Sequence, residues 1–248
     1  MGAQLARRAA RAGVRVLLIR RHVRSQRAGH RYYLAWTGTR PWLGTGRLER
    51  FEQALALDLH ALAAGRRPEE TEPDHLPLYA VCTHGRKDPC CAQFGRPVVA
   101  ALSVALRHRV WECTHLGGDR FAATLLCLPH GLYFGRVPPS EVLRIAHGYA
   151  AGRIDLERFR GRAGLHMAAQ AADWHVRRQE GLLGVEDLHV VAHTVDEDGT
   201  HAVELAGPQH RYRIRVRREA SEARPVGCGD ERLWTPSQWR LIELTRAG

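Results

Sequence analysis

Two stretches decide the reading of this chain: Cys82-Thr83-His84-Gly85-Arg86-Lys87-Asp88-Pro89-Cys90-Cys91 and, a helix-length segment later, Cys113-Thr114-His115-Leu116-Gly117-Gly118-Asp119. Each is a glycine-containing loop crowded with thiol and imidazole groups, the donors a metal centre needs. Leu78 to Val81 reads as a short apolar strand that delivers Cys82 at its end, and Val110 to Cys113 as a strand leading into the His115 turn. Between them Phe94, Val98, Ala101, Leu102 and Ala105 recur at helical spacing, and Pro97 suits the first turn of that helix.

Upstream, Val14 to Arg20 is apolar, flanked by arginines, and predicts a buried strand; Arg31 to Thr37 predicts a neighbouring strand ended by the Gly38-Thr39-Arg40-Pro41 turn. Leu48, Phe51, Leu55, Leu59 and Leu62 mark a helix stopped by Gly65, and Arg66 to Pro77 is a loop. Downstream, Phe121 to Leu128 and Leu132 to Val137 flank Pro129-His130-Gly131 as a hairpin, and Ser140 is the candidate cap of a helix closed by Gly152. This order is compatible with an α/β, thioredoxin-like sandwich over residues 14–152. Residues 153–248 read as a C-terminal extension of one helix (Leu165, Ala168, Ala169, Ala172, Val176) and an antiparallel meander over 188–195, 202–206 and 211–217.

With 248 residues, 44% of them hydrophobic, and a mean hydropathy of -0.35, the composition is that of a soluble globular protein with room for a real core. No apolar run approaches the ~20 residues of a membrane span. The Arg- and Ala-rich start, Met1 to Gly13, lacks an apolar secretion core and reads as a frayed terminus rather than a transit segment; Ala6 stands where a myristoylation signal wants Ser or Thr. The formal charge of +11 comes from arginine, since Lys87 is the single lysine among 37 basic residues. Those arginines are scattered, as at Arg7-Arg8, Arg20-Arg21, Arg177-Arg178 and Arg217-Arg218, which disfavours nucleic acid and suits an acidic redox partner docking on a basic face. Four of the six cysteines (Cys82, Cys90, Cys91, Cys113) cluster, unlike a secreted disulfide scaffold and in keeping with metal or redox chemistry in a reducing, cytoplasmic compartment.

The chemistry of the loops comes from their residue types. Thiolates hold iron, and histidine replaces cysteine on one iron of some clusters. Cys82 lies at a strand end and Cys91 precedes a helix N-terminus, whose partial positive charge favours a thiolate or an anionic cluster. Gly85 and Gly95 leave backbone room, Gly117-Gly118 permits close approach of a cluster, Arg86, Lys87 and Arg96 offset negative charge, and His84 is a supporting residue beside the ligands. Cys90 reads as a packed neighbour of Cys91, and Cys127, within Leu125-Leu126-Cys127-Leu128, as core. Zinc is the competing metal, although its cysteines usually stand two to four apart, against nine for Cys82 and Cys91. A thiol–disulfide enzyme wants Cys-x-x-Cys at a helix start, which is absent, and a sugar hydrolase wants a placed carboxylate pair.

The motif Cys82-x-His84-Gly85-x-x-Asp88-x-x-Cys91, with His115-x-Gly117-Gly118-x-Arg120-Phe121-Ala122 and Gly131-Leu132-Tyr133-Phe134-Gly135-Arg136-Val137, resembles the sucrase/ferredoxin-like family, relatives of the thioredoxin-like [2Fe-2S] ferredoxins. The resemblance covers roughly residues 78 to 175 and extends to Arg160-Gly161-Arg162 and Gln170-Ala171-Ala172. It implies a [2Fe-2S] cluster serving electron transfer or redox sensing with a partner protein. In fungal members two cysteines of the first motif hold one iron, and two histidines spaced four apart hold the other. By position, Cys82, Cys91 and His115 match three ligands, and Asp119 stands where the second histidine is wanted. Three candidates for the fourth ligand stay open: Asp119, which keeps the family spacing; Cys113, two residues before His115; and Cys228 in Gly227-Cys228-Gly229. Imidazole ligation raises a cluster's potential from about −400 mV to roughly −150 to +300 mV, so one carboxylate in place of imidazole predicts an intermediate value.

Overall fold

The computed structural model describes residues 1–22, 29–225 and 231–247. The chain opens with helix α1 (Gly2–Arg11), the edge strand β1 (Ile19–Arg20), β2 (His30–Trp36), β3 (Trp42–Leu48), the short helix α2 (Leu59–Ala63) and β4 (Glu72–Pro73). The middle holds β5 (Leu78–Cys82), α3 (Pro89–Leu106), β6 (Val110–Cys113), β7 (Leu125–Leu128), β8 (Leu132–Phe134), α4 (Val142–Ala150) and β9 (Phe159–Arg162). The last part has α5 (Met167–Glu180), β10 (His189–Val195), β11 (His201–Ala206), β12 (Arg211–Ala220), β13 (Arg224–Pro225), β14 (Leu233–Trp234) and β15 (Ser237–Ala247).

Every residue of β5 is buried, which a strand can sustain only when both of its faces are covered. The main sheet has the order β1-β6-β5-β7-β8-β9. Its heart is β5 running parallel to β6 across α3, with β7 antiparallel to β5 and β8 antiparallel to β7. A βαβ unit joined to a ββα unit in this strand order is the thioredoxin-like arrangement. Tyr79 and Val81 point to one face, under Val98, Val99 and Leu102 of α3 and Val142, Ile145 and Ala146 of α4. Leu78, Ala80 and Cys82 alternate to the other face, where they meet Leu43, Tyr33 and Ala35 of the separate sheet β2-β3-β4. By length and composition α3 is apolar enough to cross a membrane, yet Val98, Val99 and Leu102 are fully buried against the sheet.

The extension packs α5 on a four-stranded antiparallel sheet, β10-β11-β12-β15. Ala168, Ala169, Ala172 and Val176 meet Val203, Leu205, Ile214 and Val216. The fully buried Arg177 donates from Nε to Asp173 (2.9 Å) and from Nη1 to the carbonyls of Leu182 (3.1 Å) and Gly184 (2.7 Å).

Several local expectations are corrected. Residues 2–11 form α1 rather than a frayed end, with Ala9 buried. Val14 to Arg20 is not a buried strand: only Ile19–Arg20 pairs, at the sheet edge, and Leu18 is 65% exposed. The helix expected over 48–62 is broken, because Asp58 accepts the N–H groups of His60 and Ala61 and starts α2 afresh. Helix α3 begins at Pro89 with Asp88 as its cap, so Pro97 lies inside the helix and Phe94 is exposed. Ser140 is not the cap of α4; that position belongs to Glu141.

The join of α3 to β5 is close. Gly95 is buried, and a Cβ there would overlap the carbonyl oxygen of Cys82. Gly95→Ala should therefore lower stability in urea unfolding by about 1–3 kcal/mol through overpacking. Val104→Ala, on the side of the same helix that is 87% exposed, should stay within about 0.5 kcal/mol.

Candidate metal centre

Three elements each deliver one donor. Cys82 ends β5. Cys91 sits in the first turn of α3, not before it, because Asp88 accepts the Cys90 N–H (2.8 Å) and Pro89 occupies the first helical position. His115 comes after β6, in a turn where Gly117 and Gly118 take φ of +86° and +69°, values that glycine adopts without strain. The donor atoms of Cys82, Cys91 and His115 lie within 4.8 Å of one another. His115 Nδ1 stands 4.0 Å from Cys82 Sγ and 3.9 Å from Cys91 Sγ. Both sulfurs belong to residues 2% exposed, and His115 is half-buried.

Neighbouring groups set the state of these donors. The Cys82 thiol is brought down to about 5, most by the hydrogen bond from Cys91, against the opposing effect of burial, and further by the backbone N–H groups of His84 and Leu116 and by His115. Burial pushes the Cys113 thiol up, and the Cys82 charge pushes it further. Cys113 lies directly beside Cys82 in the parallel register, but it does not join the triad of converging donors. Asp119 opens a single 3-10 turn, Asp119–Phe121, while its carboxylate and the whole of Cys228 lie outside the described residues. Cys82, Cys91, Cys113 and Cys127 form no disulfide. Cys90 is buried next to Cys91, as expected, and is disulfide-bonded, though not to Cys91.

Of the other expected residues, His84 lines a cleft beside the triad with Arg20, Arg86, Arg96 and Glu112, and its Nδ1 is buried without a hydrogen-bond partner among the described residues. Arg86 is exposed. Sequence reasoning missed the groups that brace the site. Arg15 donates from Nη2 to the His115 carbonyl (3.0 Å) and from Nη1 to the Tyr133 hydroxyl (3.3 Å). Glu112 accepts from Arg20 (2.6 Å) and Thr83 (2.9 Å) and meets His22 (2.9 Å). Burial pushes its carboxyl up, but the bonds from His22, Arg20 and Thr83 outweigh that and leave it below the ordinary range. A lone acidic residue within Val110-Trp111-Glu112-Cys113 was the available signal.

Two sulfurs and an imidazole form a donor set of soft and borderline character, suited to iron–sulfur or zinc and unsuited to magnesium or calcium. The residues present fit an iron–sulfur group by this chemistry. In the metal-free protein the ultraviolet thiolate absorbance of Cys82 should persist at neutral pH and vanish as pH falls through about 5. The depressed value means the charged form is kept above it and lost below it. Cys91→Ala, which removes the main hydrogen bond, should move that loss to higher pH.

No curated protein matches the chain. Among solved structures, a thioredoxin-like [2Fe-2S] ferredoxin from Aquifex aeolicus is similar, with 17% identity and a TM-score of 0.34, over 38% of this chain and 100% of that one. A variant of that ferredoxin gives 16% identity and a TM-score of 0.31, over 34% and 97%. A family model described as Sucrase/ferredoxin-like matches residues 14–161, more than half of the sequence and all of both ligand loops, and the chain therefore belongs to the sucrase/ferredoxin-like family.

Proposed function

We propose that Cys82, Cys91 and His115 hold a [2Fe-2S] cluster and that the protein passes single electrons to and from a partner protein. The observation that supports this is that two buried sulfurs and one imidazole nitrogen face one another in a chain whose family motifs place ligands at those positions. Cys82 and Cys91 are the pair for one iron and His115 a ligand of the other. Asp119 is the proposed fourth ligand, because it keeps the family spacing and Cys113 does not join the converging donors. Such a cluster supplies a one-electron couple whose potential depends on ligand identity, net charge and hydrogen bonds to sulfur.

The chain's own residues have definite tasks in this reading. The N–H groups of His84 and Leu116 point at Cys82 and stabilise negative charge on its sulfur. Arg15 fixes the His115 turn through its carbonyl. Half-buried His115 is the ligand nearest solvent and so the exit for the electron. The cleft edged by Arg86 and Arg96 is the docking face for an acidic redox partner, whose on-rate should fall with salt.

A single zinc ion is the second reading, and one observation favours it. Donors of a tetrahedral ion with bonds of about 2.0–2.3 Å lie near 3.5–4 Å apart, and His115 Nδ1 lies 3.9–4.0 Å from both sulfurs. Anaerobic purification separates the two. A brown protein with about two irons and two acid-labile sulfides per chain, giving an EPR signal on reduction, is expected. Cys82→Ser and His115→Ala should each lose it. A colourless protein carrying one zinc would overturn the electron-transfer reading.

A further inference from the structure

We propose that His166, His193 and His201 form a second metal site, in the C-terminal part of the molecule, for a divalent late first-row cation such as Zn2+. One ring nitrogen from each of the three lies within 4.8 Å of the others. The fold makes this convergence specific. In the β10–β11 hairpin His193 pairs with Val203 and Val195 with His201, so the two histidines stand diagonally on one sheet face, about 7–8 Å apart at the backbone and within reach through their rings. That face also carries Val203 and Leu205 and is covered by α5. His166 is the N-cap of α5, which brings its ring over the same two side chains.

His201 stacks on both other rings, while His166 and His193 are tilted to each other by 40°. Centroids lie 5.1 Å apart for His166 and His201, 5.1 Å for His193 and His201, and 4.9 Å for His166 and His193. His193 Nε2 and His201 Nδ1 are 2.8 Å apart, so one of the two lone pairs is bridged by a proton that a cation would displace. Trp239 of β15 stands edge-on to His201 at 4.8 Å and to His166 at 5.9 Å, walling one side. Imidazole selects zinc, copper and nickel over magnesium and calcium, and three imidazoles leave a fourth position for water. His166 Nδ1 accepts the Ala168 N–H at 3.2 Å; coordination through that lone pair exchanges the capping bond for a metal bond. Loading the site would tie the start of α5 to the hairpin.

The site is independent of whatever fills the Cys82 centre, and it is tested with that centre loaded. Calorimetric titration of ZnCl2 into the protein as isolated should show one equivalent beyond the metal already present. His193→Gln and His201→Gln should each weaken it by at least about 100-fold, beyond the 10–100-fold typical of losing a supporting residue. His175→Gln, on α5 away from the cluster, should leave it unchanged. Co2+ bound there should give visible ligand-field bands without thiolate-to-metal absorption, which separates it from Cys82 and Cys91. Cu2+ should quench Trp239 fluorescence, and Trp239→Phe should remove that part of the quenching in a protein whose histidines are intact. No added equivalent, or an equivalent retained in the His193→Gln/His201→Gln protein, would overturn the proposal.

Discussion

The packing of helix α3 onto the end of β5 is the contact on which the rest depends. Gly95 lets the helix backbone touch the Cys82 carbonyl, and that approach fixes the first turn of α3, with Cys91, beside the strand end. A helix start and a strand end are both places where backbone groups remain unsatisfied, so both can serve a thiolate. The parallel β5–β6 pairing then sets His115 at the same edge, two residues beyond Cys113. The side chains of Cys82, Cys91 and His115 meet because one βαβ unit returns the chain to its starting edge.

The two faces of the main sheet are covered by different parts of the chain. Helices α3 and α4 cover one face of the main sheet, while strands β2 and β3 cover the face that carries Cys82 and Cys113, and the segment around Ile19 extends the sheet at its edge. Arg15, Arg20 and His22 belong to that segment and bond to His115 or Glu112. The N-terminal residues thus act as a brace for the ligand turns.

Much of the centre could be read from residues alone, for a physical reason. Ligand chemistry is local: Cys82, Cys91 and His115 are identifiable because few residue types bind soft metals, and β5 and β6 are short apolar runs that stop at or just before those residues. Other parts were hidden because their signals compete. Asp88-Pro89 marked the true start of α3, but the apolar spacing from Phe94 onward pointed to a later one. Gly44 and Gly46 weaken the strand signal of β3, where Gly46 makes room for the Tyr32 ring. The leucine spacing over 48–62 is helical, yet Asp58 caps a new helix inside it. Strand β15 carries a register shift against β12, which breaks the alternation that would have revealed it. The roles of Arg15 and Glu112, like the meeting of His166, His193 and His201, come from tertiary contacts across long sequence distances.

The decisive point is whether Cys82, Cys91 and His115 share one iron–sulfur centre. X-ray absorption at the metal edge of the protein as isolated measures this most directly. It should show iron with sulfur and nitrogen neighbours and a short iron–iron vector, and that whole iron signature should be lost in His115→Ala. An edge that reports zinc, or iron surrounded by oxygen and nitrogen alone, would contradict it.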